Sequence, residues 1–125
     1  MRMNMDIQQD TMKISMFKSK TVHRIIAKFE ASEEEKEAIR TLGLENEIIY
    51  SWPNLDEKGA KYMGDTCRMG AGTLLQSGVW GPNSNLVFES LINAKSAMQG
   101  IEEGFRRLKK LLVAAELPNS TTIEI

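Results

Sequence analysis

Two side chains in this sequence have reactivity of their own: His23 is the only histidine among its 125 residues and Cys67 the only cysteine. An imidazole beside a thiol could support nucleophilic acyl transfer, because the base draws the proton and the thiolate attacks. That chemistry also needs a group that orients the base, and no serine or carboxylate motif surrounds either residue. One thiol cannot build a thiolate zinc site within a single chain, and it forms no internal disulfide. The expectation is a chain that is not an enzyme, with no catalytic residue, no metal and no cofactor.

Anion binding is the next chemistry to weigh. Gly70-Ala71-Gly72-Thr73 has the look of a phosphate-cradling loop at the start of a short helix, but no lysine followed by serine or threonine comes after the glycines. Glycines that permit a tight connection explain it as well. Arg106, Arg107, Lys109 and Lys110 form the densest basic cluster, and an anionic partner could dock there. Glu102 and Glu103 stand four residues before the two arginines, which is the favourable order for intrahelical pairs. Lys13, Arg24 and Lys28 supply a basic wet face to two N-terminal strands, so a phosphate-bearing ligand, either nucleic acid or a small nucleotide, is the alternative partner. The aromatic residues that could stack on bases reduce to Phe17, Trp52, Tyr62 and Trp80.

The global balance of 16 basic and 17 acidic residues excludes the uniform positive field of a dedicated nucleic-acid binder. Charge is segregated instead. Residues 11 to 28 carry five basic side chains and no acid, whereas residues 29 to 57 carry nine acids against Lys36 and Arg40. No apolar run reaches the length of a membrane span, and the N-terminus lacks the apolar core of a secretory signal. A cytoplasmic protein without a membrane partner is expected.

These side chains are positioned by elements that hydropathy patterning outlines. The first ten residues are polar enough to read as a disordered N-terminal segment, 11–117 as a single α+β domain, and 118–125 as a C-terminal tail or edge strand. Met12, Ile14 and Met16 alternate with polar residues as in a strand, Lys18-Ser19-Lys20 reads as a turn, and Ile25, Ala27 and Phe29 form the inner face of a second strand to Glu30. Ser32-Glu33-Glu34-Glu35 is a capping box that opens a helix closed at Gly43. Glu47 to Trp52 reads as a strand with Ile48, Tyr50 and Trp52 on one side. Glycines restrict residues 65 to 80 to at most a helical turn near Thr73 to Gln76. Gly78 to Asn85 is a loop by composition, which would present Trp80 and Asn83, and Leu86 to Glu89 forms a last short strand.

A long helix from Ser90 to Glu116 follows. Ala94, Met98, Ile101, Phe105, Leu108, Leu112 and Ala115 recur at alternating spacings of four and three, with Ala97, Gly104 and Leu111 widening the seam. The order β-β-α-β-β-α predicts an α+β fold, a small antiparallel sheet of about four strands with the long C-terminal helix packed on one face. Gly100 and Gly104 would let another backbone approach closely, and Lys95, Glu102, Lys109 and Glu116 alternate in sign every seven residues. Gly100, Gly104, Lys95 and Glu102 mark an oligomer interface, so the leading expectation is a non-enzymatic, homo-oligomeric (dimeric) binding or adaptor protein. Recognition of a protein partner by the Gly78 to Asn85 loop completes that reading.

Overall fold

The computed structural model describes residues 1–52, 60–61, 67–81, 87–116, 120, 122 and 124. Its first element is a long antiparallel hairpin of β1 (Arg2–Ser15) and β2 (Lys18–Glu30). Half-buried Met3, Met5 and Ile7 alternate with exposed Arg2, Asn4, Asp6 and Gln8, so β1 turns one apolar face inward with the two-residue period of a strand. Register pairs Met3 with Phe29, Met5 with Ala27 and Ile7 with Ile25, which unites two apolar faces.

The expected disorder of residues 1–10 is therefore corrected: this segment is strand, because its alternation outweighs its polarity. The hairpin turns at Met16 and Phe17 rather than at Lys18-Ser19-Lys20, which belongs to β2.

Helix α1 (Glu33–Thr41) begins as the capping box requires. Ser32 Oγ accepts from the Glu35 N–H at 3.1 Å, and the Glu35 carboxylate accepts from the Ser32 N–H at 3.0 Å. It ends at Gly43, whose φ of 72° suits glycine, and Leu44 returns to the core. Strands β3 (Ile48–Trp52) and β5 (Cys67–Gly70) pair antiparallel as a separate two-stranded sheet. An irregularity between Ile48 and Tyr50 alters the expected facing: Ile49 is buried and Ile48 is exposed. The extra residue in one strand shifts the alternation by one position.

Helix α2 (Ala71–Ser77) is longer than the single turn expected, and Leu74 and Leu75 bury its inner side. Strands β4 (Ala60–Lys61), β6 (Val79–Trp80) and β7 (Val87–Phe88) complete a five-stranded antiparallel sheet in the order β1-β2-β7-β4, with β6 also on β2.

Helix α3 (Leu91–Ala115) runs 25 residues without a break, capped where the Ser90 hydroxyl accepts from the Asn93 N–H. Ala94, Ala97, Ile101, Gly104 and Leu108 are its buried line. Met98, Phe105 and Leu112 flank that line half-buried, and the Phe105 ring meets Phe29 edge-on at 5.7 Å. One apolar cluster gathers Ile25 and Phe29 of the large sheet, Ile39 of α1, Ile49 of β3, Leu74 of α2 and Ile101 of α3. The fold is α+β, with the long C-terminal helix against an antiparallel sheet. The anticipated C-terminal tail or edge strand lies largely outside the described residues.

Candidate interaction surface

Strand parity separates the two basic groups. Arg24 and Lys28 lie on β2 opposite in phase to Ile25, Ala27 and Phe29, hence on the sheet face away from α3. Arg106, Arg107 and Lys110 are exposed on the side of α3 away from its buried line. The groups occupy opposite outer faces and do not form one anion site. Arg24 donates to Asp10 at 2.8 Å, and Arg106 donates to Glu102 at 2.7 Å. Arg107 donates to the Ile48 carbonyl at 2.6 Å rather than reaching Glu103, so it ties α3 to β3.

The glycine loop is also committed to packing. Its Ala71 N–H donates to the Glu47 carbonyl at 2.9 Å, and a Cβ on Gly72 would lie 3.1 Å from the Glu45 carbonyl oxygen. The Glu45 and Glu47 carbonyls packed against the start of α2 take the place a phosphate oxygen would need. Trp80 is not presented by a loop. It sits in β6 opposite Ala27, half-buried against the core, because the Gly78 carbonyl accepts from the Phe29 N–H and draws the segment onto β2. Asn83 lies outside the described residues, as does Tyr62.

Gly100 and Gly104 do permit a close approach, but the neighbour is the chain's own β3. A Cβ on Gly104 would fall on the Ile49 carbonyl oxygen, and one on Gly100 would fall on the Tyr50 ring. That corrects the assignment of these two glycines to an oligomer contact: their space is filled within the subunit. Lys95 and Glu102 lie elsewhere on the helix and are exposed.

Helical geometry turns Lys95, Glu102 and Lys109 toward β1, on the flank opposite the glycines. Two open grooves run there between α3 and neighbouring elements. One, of about 570 Å³, lies between Met5 and Ile7 of β1 and Lys95, Met98 and Glu102 of α3, with His23 in its wall. The other, of about 870 Å³, lies between Met1, α1 and the Lys109 to Glu116 end of α3, and Leu112 and Val113 contribute apolar surface. The Met1 amino group donates to Glu35 at 3.1 Å beside this groove. That ammonium, with the Ser32 cap, holds the Glu35 carboxyl at about 2, so this carboxylate favours the folded chain above its ordinary 4.5 and ceases to do so as pH falls through 2. Strand β1 pairs with β2 on one side and with no described strand on the other.

Beyond the body, the hairpin continues as an arm. Thr11, Lys13 and residues 15 to 21 are exposed and Met12 is half-buried, and Phe17 at the turn is 92% exposed. Composition did not reveal this arm, because its tip lies two residues before the turn expected from Lys18-Ser19-Lys20. His23 belongs to the large sheet and Cys67 to the small one. Among the described residues there is no group of three His, Cys, Asp or Glu able to hold a metal, and no helix is long and apolar enough to cross a membrane.

No protein-family model, no curated protein and no solved structure matches this chain.

The position of Trp80 is directly testable. Trp80→Ala should destabilise the chain by about 2 kcal/mol or more in urea unfolding, whereas a side chain held out on a loop would change stability by only about 0.5 kcal/mol.

Proposed function

We propose that this chain is a non-enzymatic binding protein that works as a homo-oligomer in the cytoplasm. The observation that carries the reading is the flank of α3 that faces β1, where a 14-residue strand with no described partner on its outer edge walls one apolar groove and Met1 with α1 walls a second. An unpaired strand edge of that length is a template for another chain, and monomeric proteins keep such edges short or covered. A cytoplasmic setting accords with a lone cysteine. Light scattering after size-exclusion chromatography should give two or more times the 14.1 kDa subunit mass at micromolar concentration. A single-subunit mass throughout that range removes the reading.

A second reading, binding of a phosphate-bearing ligand, moves to the hairpin arm. There Lys13 and Lys18 flank exposed Phe17 on an extended ribbon, a combination of backbone charge pairing and base stacking that suits a nucleic-acid strand better than a small nucleotide. Under this reading, affinity for single-stranded RNA or DNA falls steeply with salt, and Phe17→Ala weakens it further. Absence of any mobility shift at low salt counts against it.

A further inference from the structure

We propose that two copies of this chain pair about a two-fold axis that passes beside α3, level with the space between Phe105 and Arg106, with the two helices antiparallel and the two β1 edges on the same side of the contact. The inference rests on the homo-oligomer reading and adds its geometry.

The charge column of α3 selects that axis. Lys95, Glu102, Lys109 and Glu116 are all exposed and recur every seven residues, so they stand about 10.5 Å apart along one side of the helix. A two-fold axis perpendicular to α3 reverses the column. Placed at that level, it sets Lys95 against Glu116 of the partner subunit and Glu102 against Lys109 of the partner subunit. Every member then meets an opposite charge, and symmetry repeats each pair. Parallel helices would set each charge against itself, and an antiparallel pair slid by two heptads retains only the Lys95 and Glu102 contacts.

Apolar surface obeys the same operator. Half-buried Met98 in the first groove is carried to Val113 of the partner subunit, a residue 55% exposed in the single chain. Leu112 in the second groove is carried to Gln99 of the partner subunit. Each copy thereby covers the apolar walls that the other leaves open.

The ends of the subunit supply an independent argument. The arm leaves the body near the start of α3, where Lys20 donates to Glu89 at 3.2 Å. Helix α1 lies by the other end, with Glu33, Glu34 and Glu37 along the second groove. Antiparallel pairing brings the basic end of one copy toward the acidic end of the other, which gives the segregation of charge along the chain a role in orientation. Glu102 also accepts from Arg106 in its own helix, and an exposed pair of this kind is weak enough to share its carboxylate.

Glu102→Lys and Lys109→Glu test the axis in sedimentation equilibrium of the full chain, with circular dichroism confirming that both variants fold. Each variant alone sets like charges across the axis and should raise the dimer dissociation constant by about tenfold, while an equimolar mixture restores opposite charges and should return to within about threefold of the parent chain. If either variant does not fold, Lys95→Glu with Glu116→Lys replaces the pair. Should the parent chain dimerise while the mixture binds no more tightly than its components, or should the single variants dimerise like the parent, this axis is wrong and the homo-oligomer reading stands. A monomeric parent at tens of micromolar overturns both.

Discussion

The carbonyl oxygen of Ile49 occupies the place where any residue other than glycine at 104 would carry its Cβ. The rest of the arrangement follows from that contact. Backbone against backbone, β3 lies hard against α3, with the Tyr50 ring over Gly100 and the Arg107 guanidinium on the Ile48 carbonyl. Three consecutive residues of β3 thus meet positions 100, 104 and 107 of the helix, which fixes the rotation of α3 about its own axis. With the glycine side on β3 and Ala94, Ala97, Ile101 and Leu108 in the core, Met98, Phe105 and Leu112 must turn toward β1. The charged column beside them is left on the open flank.

Packing within the subunit therefore takes one side of the helix, and the proposed self-association falls to the other. The small residues give the close approach that binds the helix into its own subunit, and the alternating charges border the grooves that remain. Glycine in a helix costs about 1 kcal/mol relative to alanine, and a contact as close as that with Ile49 is a sufficient reason to keep it. The edge of β1 and the apolar groove walls on the opposite flank are the surface that the proposed partner copy would cover.

Much of the fold was legible in the sequence where the signal is local. The Ser32 box, the stop at Gly43, the inner face of β2 and the whole of α3 depend on spacing within one element, and each stands where patterning placed it. What failed depends on distant partners. The alternation in Met3, Met5 and Ile7 becomes a strand only when β2 pairs with it, and polar composition argued the other way. Trp80 joins a sheet through the Gly78 carbonyl, which composition reads as loop. Gly100 and Gly104 announce that something approaches closely, yet their spacing cannot distinguish a second subunit from β3. The two basic groups were legible one by one, but their opposite facing needed the layer order of sheet and helix.

The contact between Gly104 and β3 is tested most directly by urea unfolding of Gly104→Ala beside Gly100→Ala at one chain concentration. A methyl group at 104 meets a backbone carbonyl that cannot turn aside, while one at 100 meets a ring that can. Gly104→Ala should therefore lose about 2 kcal/mol net of its gain in helix propensity, and more than Gly100→Ala loses. A Gly104→Ala chain as stable as the parent, or more stable by the roughly 1 kcal/mol that alanine gives an open helix face, would contradict the account.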